Sequence, residues 1–427
     1  MTGIKNILKG DFVKSVAVLM TGTVLAQVIS YALWPIIADY YNQSQMADFN
    51  LYMRVISFIG ALATARFEMS LPLPKSDSHS FLLFRLSLKI AMITLLISGI
   101  AGLVYFWVVS GTFNYFLFGL LSLLSAFFVV FINLGTNWSI RKGQFSRISY
   151  SRITNSVVSN SLRLGFGLLH WGSFGIIFAS LLGYFASSLG FVKDFLSNNI
   201  LYKHLKSKRK TFALATEYRE FPLVSLPHVL IDLGRDLLVA FMIIYFFGKD
   251  VFGSYGFSLM MLSVPIAIIG QAISQVFFKQ CSEIVNRGEA VEPLLIQTMK
   301  TLIALSIVPF AILFFWGEPI FTFVFDAEWT LAGRLSEIMA VYMFFNFVIS
   351  PISNLPIILN RQRAYLILGI VNTSIQLFFL GLLPFWVDRS LENFESILWG
   401  MSIAQSVLLI YTSFLFIKFA RNGRKMV

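Results

Sequence analysis

Charge is what this sequence has least of. Only 13% of its 427 residues are Asp, Glu, Lys or Arg, against about a quarter in a soluble domain. Such a chain cannot cover a water-facing surface, so a soluble globular fold is excluded at the outset. Cysteine is nearly absent too, and a single Cys281 rules out an intramolecular disulfide. The four histidines, His79, His170, His204 and His228, stand at no metal-ligand spacing, and no metal site is expected. No phosphate-binding glycine loop, HExxH or GxSxG pattern occurs, which argues against ATP hydrolysis. Neither a catalytic residue nor a cofactor is expected.

Hydrocarbon is what the sequence has in abundance. The chain is 57% hydrophobic with 45 Phe, and its mean hydropathy is +0.76. A helix needs about 20 mainly apolar residues to cross a bilayer, and such segments recur from end to end. Twelve are predicted, at about 15–37, 48–70, 87–109, 115–137, 150–170, 174–195, 222–247, 251–276, 296–316, 335–358, 364–387 and 395–417. The fifth is the most polar, because Ser149 to Ser161 is rich in Ser, Asn and Arg. Were it not to span, every later orientation would flip.

The basic residues test this scheme. With the N-terminus inside, 26 of the 33 Lys and Arg fall on the inner side; only Lys249, Arg334 and Arg389 fall outside, and four lie within spans. Inner loops of membrane proteins are enriched in Lys and Arg, and the bias holds through every alternation. The expected fold is therefore an all-α polytopic membrane protein of about twelve transmembrane helices with both termini cytoplasmic. The net charge of +12 follows from topology and implies no nucleic-acid partner. The run KHLKSKRK at 203–210 suits anionic headgroups at the inner surface. The first span is too long, and lacks the small-residue cleavage site, for a removed signal peptide.

The longest polar connection, about Lys193 to Glu220, lies on the inner side and divides the spans six and six. The predicted organisation is a first lobe at 1–200, a basic linker at 201–221 and a second lobe at 222–427. Each half opens alike: Met46-Ala-Asp-Phe49 compares with Phe252-Gly-Ser-Tyr255. A duplicated six-span half would be a parallel repeat, an arrangement that transporters use to place a binding site at the midplane between repeats.

A few charges remain inside the spans: Arg54, Arg66, Arg163 and Arg235, with Glu68, Asp232 and Asp236. Each charge at a helix centre costs roughly 2.5–3.5 kcal/mol on insertion scales. Asp232, Arg235 and Asp236 are spaced i, i+3, i+4 and share one helix face. That face must border water or pair with another helix. Thr23, Gln27, Ser30 and Trp34 form a stripe on span one, Arg152, Ser156, Ser159 and Arg163 on span five, and Gln271, Ser274 and Gln275 cluster on span eight. Such stripes serve either a polar passage or hydrogen bonding between helices. The planar guanidinium fork suits phosphate, so Arg54 and Arg235 are candidate contacts for a phosphorylated headgroup, with Gln27, Ser30 and Gln271 lining the passage; four basic against three acidic residues do not by themselves choose between an anionic and a cationic substrate. Asp232, Asp236 and Glu68 are candidates for coupling to a proton or sodium ion, or for balancing the Arg charge without substrate. Pro222, Pro227, Gly234 and Pro265 are candidate bends.

Several segments in order resemble one family: Gly22-Thr-Val-Leu-Ala-Gln-Val-Ile-Ser30, Trp34-Pro-Ile-Ile-Ala38, Phe67-Glu-Met-Ser-Leu-Pro-Leu-Pro-Lys75, Phe221-Pro-Leu-Val-Ser-Leu-Pro227, Ala272-Ile-Ser-Gln-Val-Phe-Phe-Lys279, Phe325-Asp-Ala-Glu-Trp-Thr-Leu-Ala-Gly333 and Ser350-Pro-Ile-Ser353. Together they look like the oligosaccharide flippase, or O-antigen translocase, branch of the multidrug/oligosaccharidyl-lipid/polysaccharide (MOP) exporter superfamily. The resemblance implies two six-helix lobes of MATE/MOP type working by alternating access. It also implies an undecaprenyl-pyrophosphate-linked oligosaccharide substrate, moved from the inner to the outer leaflet of the bacterial cytoplasmic membrane. Membrane lipids and other polysaccharide-assembly proteins would be its partners. One departure is Ala47, where the family usually has Gly, as Gly253 does in the second half; a less tight first turn is expected. The rivals are a drug or organic-cation antiporter of the same superfamily, which wants an acidic cavity, and a membrane-embedded polymerase or glycosyltransferase, which wants a larger outer domain.

Overall fold

The computed structural model describes residues 21–105, 113–202, 207–359 and 361–422, and among these no strand occurs. The start of the first predicted span lies outside the described residues. The helices are α1 (Thr21–Ala38), α2 (Gln43–Ala63), α3 (Asp77–Tyr105), α4 (Phe113–Arg141), α5 (Phe145–Leu168), α6 (Gly172–Leu201) and α7 (Lys208–Glu217). Then come α8 (Leu226–Phe247), α9 (Lys249–Leu262), α10 (Gln271–Asn286), α11 (Glu292–Phe325), α12 (Thr330–Ile349), α13 (Leu355–Ile358), α14 (Gln362–Leu377) and α15 (Leu391–Asn422). Among the described residues nine helices are long and apolar enough to cross a membrane, or ten if Lys249–Leu262 and Ile266–Val285, bent by 40°, form one broken span. The protein is an all-α, multi-pass membrane protein.

Two further helices have the length without the composition. α5 has 24 residues and α8 has 22, roughly 36 and 33 Å at the helical rise. α5 is diluted by Ser and Asn, and α8 carries Asp232, Arg235 and Asp236. Pro222 lies in a π-helical turn, Phe221–Ser225, that leads into α8, and Pro265 precedes a second π turn, Ile266–Gly270, at the bend after α9. Gly234 sits inside an unbroken α8.

The chain forms two compact units. The first comprises the described residues to Tyr41 with Leu51–Leu237, the second Asn42–Asn50 with Leu238–Val427. The opening turns of α2 thus belong to the second unit, and the first half of α8 to the first.

In the first unit α5 is held by its polar side chains. Ser156 Oγ donates to the Ala26 carbonyl at 2.8 Å and lies 2.9 Å from Ser30 Oγ, while Asn160 Nδ2 donates to Ser30 Oγ at 3.1 Å. Arg152 donates to Thr23 Oγ1, and the Arg163 guanidinium lies 5.5 Å from the Trp34 ring centre. These contacts climb both helices in the same order, so α1 and α5 run parallel. Against α6 the order reverses: Ser151 Oγ donates to the Ser187 carbonyl at 3.0 Å and Arg163 to Ser180 Oγ at 3.0 Å, so that pair is antiparallel. Lipid gives no hydrophobic drive for helix association, and small or hydroxylated residues supply it instead. Close approach does the rest, since a Cβ on Gly22 would collide with Ser149. Elsewhere in this unit Phe81, Phe84 and Trp138 pack with Phe195 between α3, α4 and α6, Phe84 and Phe195 stacking at 5.1 Å.

In the second unit the opening of α2 lies against α9. A Cβ on Gly253 would collide with the Gln43 carbonyl and one on Gly256 with the Asn50 amide, and Lys249 pairs with Asp48 at 2.8 Å. The two alike segments, Met46–Phe49 and Phe252–Tyr255, are therefore neighbours. The glycine serves this approach between helices, not a tight turn, and Ala47 fits within it, 1% exposed. Phe257 packs on Trp329 at 4.2 Å. α11 kinks where Trp316 leaves helical geometry (φ −136°, ψ 23°), close to Pro319. A kink frees backbone donors, and Glu337 Oε1 accepts from Glu318 N–H at 2.8 Å.

Candidate functional site

α8 carries Asp232, Arg235 and Asp236 within five residues. Its i, i+3, i+4 spacing brings Asp232 and Asp236 to either side of Arg235, as helical geometry requires. Arg235 Nε and Nη2 donate to Asp236 Oδ1 at 3.0 and 2.9 Å, and Nη1 lies 3.6 Å from Asp232 Oδ1. Asp232 is also 3.9 Å from His228 Nδ1, one turn earlier. α2 supplies the second guanidinium: Arg54 Nη1 donates to the Asp236 carbonyl at 2.7 Å. That carbonyl keeps a lone pair beyond its helical hydrogen bond. Phe58, one turn after Arg54, faces Gly234 at a distance that a Cβ would fill with ordinary contact, 3.9 Å.

The arrangement is layered. The Arg235 side chain is 16% exposed, whereas Asp232 and Asp236 are 49% and 40% exposed. Two guanidiniums and two carboxylates sum to zero, with the acids outermost. Ionised groups do not face hydrocarbon, so the half-exposed aspartates suit a surface that borders water. Chemically, the cluster can release a guanidinium fork when a stronger anion arrives or when an aspartate is protonated.

The other predicted residues have surroundings of their own. Ser30 belongs to the α1–α5 hydrogen-bond network, and Gln27 Oε1 is buried and meets no donor among the described residues. Gln271 is exposed at the start of α10, in the second unit. Glu68 is 2% exposed in a 3-10 turn, Phe67–Ser70, beyond the end of α2. Thr64 Oγ1 donates to its carboxylate, and Arg66 Nη1 lies 3.4 Å away. Burial pushes the Glu68 carboxyl above its ordinary range, partly opposed by the Thr64 hydroxyl and by Arg66. The two residues before this turn, Ala65 and Arg66, have φ of 50° and 62°, a left-handed conformation that non-glycine residues rarely adopt. Among the described residues no group of three or more His, Cys, Asp or Glu is placed to hold a metal.

Sequence reading missed several polar contributors. His228 was legible as the residue one turn before Asp232. The Asp236 carbonyl that receives Arg54 carries no sequence signal at all. Around Arg163, Asn160 Oδ1 accepts at 2.9 Å and Tyr41 O–H donates to the Arg163 carbonyl at 2.7 Å, which makes this arginine part of the packing of α5 against its neighbours.

Comparison with known proteins now decides the family. A family model described as polysaccharide biosynthesis protein matches residues 115–333, more than half of the chain. The chain belongs to the polysaccharide biosynthesis protein family. No curated protein matches it. Among solved structures, this family member resembles the inward-facing conformation of a multidrug resistance MATE family transporter of the MOP superfamily at 16% identity, covering 94% of this chain and 96% of that one, with a TM-score of 0.68. An outward-facing conformation of such a transporter matches at 16% identity, 97% of each chain and a TM-score of 0.59. A MOP superfamily transporter from Pyrococcus furiosus, whose binding pocket is described as having reverse polarity, matches at 15% identity, 96% of each chain and a TM-score of 0.57. The family member therefore has the MATE/MOP transporter fold.

Proposed function

We propose that this MOP-type membrane transporter is a flippase for a lipid-linked oligosaccharide. Its substrate is the undecaprenyl-pyrophosphate-linked repeat unit of O-antigen or another surface polysaccharide. Transport runs from the inner to the outer leaflet of the bacterial cytoplasmic membrane by alternating access, beside other polysaccharide-assembly proteins. The observation that carries the reading is the Arg235 fork at mid-span, held by two more exposed aspartates with Arg54 alongside. A pyrophosphate offers such a fork more charge and more acceptors than an aspartate does. Arriving substrate takes over Arg235, and the displaced Asp232 and Asp236 accept a proton or a sodium ion. The exchange keeps the net charge of the cluster near zero in both states when each aspartate takes up one cation, which limits the cost of charge within a membrane span. The polysaccharide biosynthesis family supports the substrate class, and the reversed pocket polarity of the Pyrococcus furiosus transporter supports a MOP fold serving more than one kind of charge. Nothing in this mechanism requires catalysis.

The test is genetic and chemical together. Deleting the gene should leave lipid-linked repeat units accumulating on the cytoplasmic leaflet, and wild type should clear them. Arg235→Ala should restore flipping tenfold or more poorly, since a charge-assisted hydrogen bond contributes about 1.5–3 kcal/mol. Full rescue by Arg235→Ala would remove this residue from the mechanism. Rescue coupled with gain of organic-cation export would favour a drug antiporter instead.

A further inference from the structure

The basic residues Lys208, Arg209 and Lys210 are not used by the transport mechanism, and their position points to a second ligand. We infer that α7 is an in-plane docking helix for the anionic phospholipid headgroups of the cytoplasmic leaflet. The helix is short and two-faced. Ser207 caps it, its hydroxyl accepting from Lys210 N–H at 3.3 Å. Leu214 is buried in a cluster with Phe67, Leu82 and Leu83, with Ala215 and Tyr218 packed alongside. The rest of the helix faces outward: Lys208, Arg209 and Lys210 are exposed, and Phe212 is 75% exposed. Phe212 lies four residues after Lys208 and three after Arg209, so one side of the helix presents an aromatic ring between two cations. In water alone such a ring is a liability; at a headgroup boundary, cations above an inserted aromatic make an anchor.

Depth is fixed independently by the flanking chain. Just before α7, Ile200 and Leu201 are 76% and 65% exposed, and just after it Leu223 and Val224 are each 67% exposed. Apolar side chains this bare at span ends face hydrocarbon, so the ten residues of α7 lie between two lipid-facing anchors at the inner interface. A cationic face at that level meets the negative surface of the cytoplasmic leaflet. The inner face of α7 rests on Phe67, beside the left-handed Ala65–Arg66 turn. Docking thus clamps the inner end of α2, the helix that carries Arg54.

The experiment needs no substrate, so it stands or falls apart from the flippase reading. The full chain, delipidated in detergent, is offered phosphatidylglycerol or phosphatidylcholine, and retained lipids are counted by native mass spectrometry. Wild type should retain phosphatidylglycerol preferentially. The combined variant Lys208→Gln, Arg209→Gln, Lys210→Gln should lose that preference, with affinity falling roughly fivefold for each cation removed. Equal retention by wild type and variant overturns the proposal. A second measurement tests depth. Phe212→Cys carrying a nitroxide, in nanodiscs containing phosphatidylglycerol, should be reached by oxygen more than by a water-soluble nickel complex. The native Cys281 is buried and leaves the new thiol as the reactive one. A label fully accessible to nickel would place the helix in water, on a surface suited to a soluble protein, and would equally overturn it.

Discussion

At the level of single residues, the decisive feature is which group holds Arg235. Because Asp232 and Asp236 already occupy its donors, the proposed mechanism has substrate and aspartate compete for one guanidinium. Asp236→Asn should then bind a fluorescent diphosphate-lipid analogue several-fold more tightly than wild type, while flipping in proteoliposomes slows because release is no longer assisted. Weaker binding would mean that the carboxylate itself contacts the substrate, as a cation exporter requires. Glu68 makes a different prediction. Its carboxyl titrates above the ordinary glutamate range because burial favours the neutral acid. The stability it confers is therefore complete below the unfolded-state pKa and is lost as pH rises through the raised, folded value. Glu68→Gln, neutral at every pH, should abolish this loss, its melting temperature in detergent matching or exceeding that of wild type above neutrality. A Gln variant that loses stability equally with pH would assign the dependence to another group. Glycines divide in the same way. Gly234→Ala should be tolerated or stabilising by up to about 1 kcal/mol, since alanine favours a helix interior and Phe58 leaves room for the methyl. Gly253→Ala must push the Gln43 backbone away and should lower the melting temperature by several degrees.

At the level of helices, the fold was readable wherever one helix determines the outcome and unreadable wherever two do. Spacing alone placed Asp232, Arg235 and Asp236 on one face, and Pro265 marked the bend after α9. The partner of Arg54 was hidden because a backbone carbonyl on another helix leaves no pattern in sequence. The polar stripe on α5 admitted two readings, and only the contacts choose: Arg152 and Ser156 bond to α1 and Arg163 to α6, with Ser151 and Asn160, outside the stripe, bonding to α6 and α1. They hold helices together, and Ser30 is engaged with them. Interhelical hydrogen bonds in membranes average about 0.6 kcal/mol, with a maximum near 1.7. Ser156→Ala should therefore destabilise modestly, by roughly 0.5–1 kcal/mol. Asn160→Ala should cost more, because this amide bridges Ser30 and Arg163 at once. Calorimetry or chemical unfolding of the two variants would rank them, and a larger loss for Ser156→Ala would contradict the network described. Ala47 carries a related lesson. A turn was the obvious role for a small residue near a helix start, whereas the contact of α2 with α9 is what demands it.

At the level of the whole molecule, sharing a fold with multidrug transporters at 16% identity selects an architecture and does not name the cargo. Orientation is a separate matter, set by parity. Between Lys75 and Arg209 the sequence predicts four spans, the third of them the polar α5. If all four cross, the two positions face the same compartment; if α5 lies short, they face opposite ones. The parallel contacts of α1 and α5, at Thr23 with Arg152, Ser30 with Asn160 and Trp34 with Arg163, require both helices to run the same way through the same layer. α5 satisfies that if it follows α1 across, as the twelve-span scheme expects. The single buried cysteine makes the measurement direct. Lys75→Cys, Arg209→Cys and Arg363→Cys should react with an impermeant maleimide only in inverted vesicles. Asp250→Cys and Asp388→Cys should react only in intact cells. Labelling of Arg209→Cys from outside, with Lys75→Cys still protected there, would move every basic loop after α6 to the wrong side. The charge bias of the sequence would then have no physical cause.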